Sequence, residues 1–216
     1  MIRKDAFGNE IRNIIFLDID GVLNGDSTLF RSIFWYICYL LHIRWLYFFL
    51  DKKFNWRDIY GIHEEKCKRL ETICKEGHAD IVLTSTWRGI IWDIWNARFN
   101  SEKMDYYHKN DPDPYKFVKY CIDHDINIID RLPYYTNRGT AILDWLNDHK
   151  DFKGRYIILD DEWTEMKLFL YMEINPLVLT CDSKPGRPIK GKFYCREGLR
   201  KCHVNEALCK LNGYNY

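Results

Sequence analysis

Two aspartates follow a short apolar segment near the start of the chain, in a pattern that suits phosphoryl transfer. The segment NIIFL (Asn13–Leu17) predicts a buried strand, and Asp18, Asp20 and Gly21 follow it closely. Asp18 can attack phosphorus as a carboxylate nucleophile. Asp20 is near enough in sequence to reach the same site, where it can protonate the leaving group and later activate water.

Two further apolar segments also end in polar residues. ADIVL precedes Thr84 and Ser85, and YIIL precedes Asp160 and Asp161. Ligands bind at the carboxyl ends of the strands in a parallel α/β sheet. We therefore expect these side chains to converge with Asp18 at one edge of a sheet.

A concentration of carboxylates is costly unless a cation neutralises it. Asp18, Asp160 and Asp161 offer oxygen ligands that suit Mg²⁺, which would also screen the anionic nucleophile from an anionic phosphate. Ser85 is predicted to donate a hydrogen bond to the transferring phosphoryl group. Arg138, at the start of a predicted helix, can supply positive charge.

Some assignments stay open at this stage. Thr84 is an alternative to Ser85 as the hydroxyl of the second motif, because the end of the strand is not fixed to one residue. Lys153 is a positional alternative to Arg138 as the cation. Thr84 and Arg88 are predicted to contact the substrate. The Thr84–Thr86 hydroxyls also suit a helix cap, and Arg138 also suits a solvated helix start.

Strands and helices alternate along the chain, which indicates an α/β fold: a doubly wound parallel sheet with helices on both faces. Residues 100–137 look least regular, with a short helix at 115–124 and an extended piece at 126–129. Asn137 or Thr136 is expected to cap the helix that follows. The other predicted helices span 63–76, 88–99, 139–149, 166–172 and 199–211.

Residues 29–50 form an aromatic-rich apolar block interrupted by Arg31, His42 and Arg44. A central arginine costs roughly 2.5–3.5 kcal/mol on membrane-insertion scales, so we favour a buried pair of cap helices. A helix lying in a membrane interface and a true membrane span are the alternatives.

Composition limits the function classes further. The 216 residues carry 32 basic and 31 acidic side chains, a net charge of +1, so there is no global basic footprint of the kind nucleic-acid binders often show. The start of the chain lacks the pattern of a secretory signal, so we expect a cytoplasmic protein whose eight cysteines are reduced. Zinc binding by the C-terminal cysteines and His203 is a minor alternative, because their spacing lacks the usual knuckle.

Four motifs, taken together, resemble the haloacid dehalogenase (HAD) superfamily of phosphohydrolases. The two middle motifs look like the phosphatase domains associated with nucleic-acid repair proteins in that superfamily. In chain order the motifs are FLDIDGVLN (16–24), VLTSTWR (82–88), NRGTAILDWL (137–146) and YIILDDE (156–162).

The resemblance implies a Mg²⁺-dependent phosphatase in which Asp18 forms an aspartyl-phosphate and Asp20 is the acid and base. It implies that the metal is held by Asp18, Asp160, Asp161 and the backbone carbonyl of Asp20. Arg138 stands where the superfamily usually has lysine or arginine.

The resemblance also implies a catalytic core of residues 1–24 and 61–216, with a cap inserted at 25–60. A nucleic-acid end or a nucleotide is the favoured substrate. The alternative function is an inactive HAD-fold binding module that docks through residues 29–50. The sequence names neither a partner protein nor an oligomeric state.

Overall fold

The computed structural model describes residues 10–24, 42, 61–134, 137–173, 175–180 and 198–213. Its five strands are β1 (Asn13–Leu17), β2 (Ala79–Leu83), β3 (Ile128–Arg131), β4 (Tyr156–Asp160) and β5 (Leu177–Leu179). Its seven described helices are α1 (Glu64–Glu76), α2 (Arg88–Asn96), α3 (Ser101–Asn110), α4 (Pro112–Asp123), α5 (Arg138–Asp148), α6 (Lys167–Leu170) and α7 (Lys201–Asn212).

The five strands form one all-parallel sheet in the order β3-β2-β1-β4-β5. Helices pack on both faces, which confirms the predicted α/β class. Ile15 and Leu17 of β1 point into one apolar cluster with α1, α2, α4 and α7, whereas Ile14 and Phe16 point into a second cluster with α5 and α6. This alternation explains why the strand reads as a continuous apolar run: both of its faces are buried.

Asn13 aligns the amino ends of the central strands. Its side-chain nitrogen donates to the Gly77 carbonyl (2.6 Å), and its side-chain oxygen accepts from the backbone N–H of Arg155 (2.8 Å). Gly77 lies two residues before β2, and Arg155 lies directly before β4. One buried amide therefore ties together the starts of three neighbouring strands.

The region predicted to be least regular is mostly helical. Residues 101–123 form α3 and α4, separated by Asp111, and Pro112 occupies the first turn of α4. Proline is tolerated at that position because the first backbone N–H groups of a helix lack intrahelical partners. The Asp-Pro sequence thus marks the boundary between two helices and not an extended loop.

The ends of the predicted cap insertion meet at the core. The backbone N–H of His63 donates to the Leu23 carbonyl (3.1 Å), which joins the chain on either side of residues 25–60. Those residues, except His42, lie outside the described ranges, so the cap assignment and the alternatives for residues 29–50 stay predictions. None of the helices that are described is long and apolar enough to cross a membrane.

Glu71 links α1 to α4. Its carboxylate accepts hydrogen bonds from Lys75 (2.6 Å) and the Tyr120 hydroxyl (2.6 Å), and it lies 3.1 Å from Nδ1 of His124. Burial alone raises the pKa of Glu71, but the hydrogen bonds from these three residues outweigh burial and lower the pKa to about 2. The ionised carboxylate is therefore stabilised in the folded protein.

We expect Glu71→Gln to lower the free energy of unfolding by about 1 kcal/mol at pH 7. An unfolded glutamate titrates near pH ~4.3, so this contribution is complete above that pH and is lost as the pH falls towards 2. Denaturant unfolding of both proteins between pH 7 and pH 2.5 measures the difference. The exposed Glu102→Gln is the matched control, and a deficit that stays constant down to pH 2.5 contradicts the assignment.

Candidate active site

The strand register brings three polar residues to the same edge of the sheet. β1, β2 and β4 are aligned so that Asp18, Thr84 and Asp160 lie at the same level at their carboxyl ends. The backbone N–H of Asp18 donates to the Leu159 carbonyl and that of Thr84 to the Leu17 carbonyl, each at 2.9 Å. The predicted convergence of residues distant in sequence is therefore present.

Three carboxylates form an acidic cluster at this edge. One oxygen from each of Asp18, Asp160 and Asp161 lies within 4.8 Å of the others, and Asp18 and Asp160 are buried. Burial is the main cause that raises the pKa of Asp18 and of Asp160, because negative charge is unfavourable away from water. This all-oxygen set fits Mg²⁺, and a bound cation would favour the ionised carboxylates.

Arg138 supplies positive charge to the same cluster. Its Nη1 donates to Oδ2 of Asp18 (2.7 Å) and to Oδ2 of Asp160 (2.9 Å), while its Nε donates to Glu165 (3.0 Å). Burial lowers the pKa of the guanidinium, but Asp160 and Asp18 outweigh that effect and raise it. Arg138 is therefore a permanent cation that bridges two strand ends.

The beginning of α5 holds Arg138 in place. Asn137 caps the helix, as its side-chain oxygen accepts from the backbone N–H of Thr140 (3.3 Å). A side chain on Gly139 would overlap the Glu165 carbonyl, so glycine allows α5 to approach that segment closely. Glu165 in turn accepts from both the backbone and the side chain of Arg138.

Asp20 lies on the turn after β1 and is held at both oxygens. Asn24 Nδ2 donates to one oxygen (2.8 Å) and the Thr86 hydroxyl donates to the other (3.0 Å). Asp20 is also near enough for its charge to raise the pKa of Asp18 further, although burial is the larger cause. Gly21 has a φ of +72°, and a side chain there would overlap Asp161, so the turn requires glycine.

Thr84 and Ser85, the two candidate hydroxyl residues of the second motif, are fully buried. Thr84 Oγ1 has no hydrogen-bond partner, and Ser85 Oγ accepts from the backbone N–H of Trp87 (3.2 Å). A buried hydroxyl without a partner is unusual and suits a site that receives a polar ligand. The choice between Thr84 and Ser85 as the phosphate-facing hydroxyl thus stays open.

Arg88 directs its hydrogen bonds towards backbone carbonyls. It donates to the Thr84 carbonyl (3.1 Å) and the Ser85 carbonyl (2.7 Å), and to the carbonyls of Leu132 (2.8 Å) and Pro133 (2.9 Å). The predicted contact with the substrate stays a prediction, and these bonds favour a positioning role that joins the second motif to the loop after β3.

The structure distinguishes the two candidate cations by location. Arg138 lies in the acidic cluster, whereas Lys153 lines a cavity of about 380 Å³ with Glu10, Arg12 and Asp80, beside the amino ends of the strands. The predicted site residues Asp18, Asp160, Asp161 and Arg138 are therefore brought together without Lys153.

Three neighbours of the site were not predicted. Asn24 and Thr86 both contact Asp20, and each lies within one of the four sequence motifs. The signal that could have identified them is a short polar side chain close in sequence to Asp20 or within the second motif. Glu165 has no comparable signal, because only the folded chain brings it to Arg138.

An all-parallel sheet whose neighbouring strands present aspartates at one carboxyl edge is consistent with a HAD-like fold. Residues 14–186 match the family described as HAD domain in Swiss Army Knife RNA repair proteins, and the chain belongs to that family. The match runs from the second residue of β1 past the end of β5. It confirms the predicted resemblance and supports a phosphatase-like activity in general terms. No curated protein and no solved structure matches the chain.

We expect Arg138→Met to lower the free energy of unfolding by about 3 kcal/mol in the presence of EDTA. The substitution leaves two buried carboxylates, Asp18 and Asp160, without their cationic partner. Denaturant unfolding at neutral pH measures the loss. Arg131→Met is the control, because Arg131 is a half-buried arginine on β3, and it should cost less than ~1 kcal/mol. Equal losses in the two variants would contradict the assigned charge balance.

Proposed function

We propose that this domain is a Mg²⁺-dependent phosphomonoesterase that acts through a phospho-aspartate on Asp18. The observation that carries the proposal is the convergence of Asp18, Asp160 and Asp161 around one position, with Arg138 beside them. Membership of a family named for RNA repair proteins favours the phosphorylated end of an RNA as the substrate.

Asp18 is the nucleophile. Its Oδ1 accepts from the backbone N–H of Ile19 (2.9 Å) and its Oδ2 accepts from Arg138, and both contacts favour the ionised, nucleophilic form. A carboxylate oxygen forms a bond to phosphorus as the bond between phosphorus and the ester oxygen breaks. The electron pair of the broken bond leaves with the alcohol.

Asp20 moves the protons in both halves of the reaction. It donates a proton to the departing alcohol oxygen, and its carboxylate then accepts a proton from the water that attacks the phospho-aspartate. That second step breaks the bond between phosphorus and Asp18 and releases phosphate. The Thr86 hydroxyl can donate to Asp20 or accept from it, so it can hold either protonation state.

Asp18, Asp160 and Asp161 would hold the metal, together with the Asp20 carbonyl. Each ionised carboxylate has about four lone-pair sites, so the bonds that Asp18 and Asp160 accept from Arg138 leave capacity for a cation. When bound, Mg²⁺ supplies positive charge against the nucleophile and the phosphoryl oxygens. Arg138 contributes a second, fixed positive charge to the same place.

We expect Asp18→Asn to abolish hydrolysis of every ester in a panel of phosphorylated oligoribonucleotides, nucleotides, sugar phosphates, phosphopeptides and p-nitrophenyl phosphate. Loss of a nucleophile lowers kcat by several orders of magnitude. Asp20→Asn should impair alkyl phosphates by about 10²–10⁴-fold and p-nitrophenyl phosphate less, because nitrophenolate leaves readily without a proton.

The matched control is Asp144→Asn, an exposed aspartate on α5. It should hydrolyse the panel at the wild-type rate. Absence of hydrolysis by the wild type with Mg²⁺ present would contradict the enzyme and favour the alternative of an inactive binding module. A rate in Asp18→Asn equal to that of the wild type would contradict the assigned nucleophile.

We also expect Mg²⁺ to stabilise the fold. At a free concentration about 100 times Kd, binding adds ~2.7 kcal/mol, which raises Tm by roughly 5–10 °C for a domain of this size. Thermal unfolding with Mg²⁺ and with EDTA measures the shift. Asp161→Asn should reduce it, whereas the exposed Asp151→Asn beside the opposite edge of the sheet should preserve it. An unchanged shift in Asp161→Asn would remove Asp161 from the metal site.

A further inference from the structure

Tyr134 lies in the loop that connects β3 to α5 and thus precedes Arg138. The loop leaves the sheet at the carboxyl edge, since the backbone N–H of Leu132 donates to the Leu83 carbonyl (2.9 Å). Tyr134 is 58% exposed. Its position is therefore open to a ligand bound at the edge that carries Asp18.

The Tyr134 ring rests on a fixed cation. The Arg88 guanidinium lies 3.9 Å from the ring centroid, and its hydrogen bonds to the Ser85 and Pro133 carbonyls hold it in place. One face of the ring is therefore covered and its hydroxyl end lies against Gly89, so the part of the side chain that stays exposed includes the opposite face. A rigid aromatic face of this kind is what an unpaired nucleobase stacks on.

The Arg88 guanidinium places a positive charge directly beside this ring. Burial is the main cause that lowers the pKa of Arg88; the charges of Arg138 and Arg131 also lower it, whereas those of Tyr134 and Asp18 raise it. Cations beside an exposed aromatic face match the two chemical parts of a single-stranded RNA, its phosphates and its bases.

We infer that Tyr134 is the stacking platform for the terminal base of a single-stranded RNA whose phosphate lies at Asp18. The inference rests on the proposed function and adds to it a requirement for a base next to the reacting phosphate. Recognition by stacking tolerates every base, because each has a π face, so the domain would select an unpaired end and not a sequence. Arg88 acts through Tyr134 and the second motif as a positioning residue.

The test measures binding separately from hydrolysis. The probes are pairs of single-stranded oligoribonucleotides that differ only in whether the terminal phosphorylated nucleotide has a base or is abasic, with the phosphate at the 3′ end in one pair and at the 5′ end in the other. Fluorescence anisotropy with the Asp18→Asn protein and Mg²⁺ gives Kd without turnover. We expect at least one pair to show roughly 5- to 150-fold tighter binding of the base-bearing strand.

Substitutions on the same Asp18→Asn background then assign the preference to a residue. Tyr134→Ala and Tyr134→Leu should lose it, since leucine covers Arg88 but offers no π face, whereas Tyr134→Trp should keep it. Tyr106→Ala is the control, because Tyr106 is a 60% exposed tyrosine on α3, which packs against α2 and α4. Thermal unfolding of each variant checks that the fold is intact.

The outcomes separate the two proposals. Equal binding of base-bearing and abasic strands in both pairs, or a preference that persists in Tyr134→Ala or Tyr134→Leu, overturns the role of Tyr134. Hydrolysis of sugar phosphates together with equal binding leaves the phosphatase standing without this subsite. A preference that depends on Tyr134, with no hydrolysis of any ester by the wild type, supports RNA stacking and overturns the phosphatase.

Discussion

The site depends on keeping two buried carboxylates, Asp18 and Asp160, ionised next to each other. Burial is the main cause that raises the pKa of both residues, and the charge of Asp18 raises the pKa of Asp160 further, so the pair needs cations. Arg138 is one such cation, and Asp161 completes a set of oxygens that suits another. The strand register, the cap of α5 and the glycine after Asp20 all fix the positions of these charged groups relative to one another.

Parts of this arrangement could be predicted from the sequence because they depend on local patterns. A short, fully apolar run predicts a strand buried on both faces, and a polar residue at its end predicts a side chain at the sheet edge. Asp18, Asp160 and Asp161 were located in this way. The predicted cap at Asn137 also follows from local chemistry, since its side-chain oxygen satisfies a free N–H at the start of α5.

Other parts could not be predicted because they depend on contacts between distant segments. Arg138 and Lys153 are both basic residues in a suitable part of the sequence, and only the path of α5 decides which one reaches Asp18. Glu165 is likewise defined by its contact with Arg138. The sequence predicts only a short helix at 115–124, where the structure has two helices within residues 101–123. The reason is that a proline indicates a helix break unless it is known to lie in the first turn.

A backbone hydrogen bond between His63 and Leu23 joins the two parts of the core that flank residues 25–60. The two ends of the intervening segment are therefore attached to the core at fixed positions, whatever its sequence. The entropy of closing a loop grows only slowly with its length, so a longer or shorter intervening segment changes the stability of the core little. The length of that stretch can therefore change while the edge that carries Asp18 and Asp160 keeps its geometry.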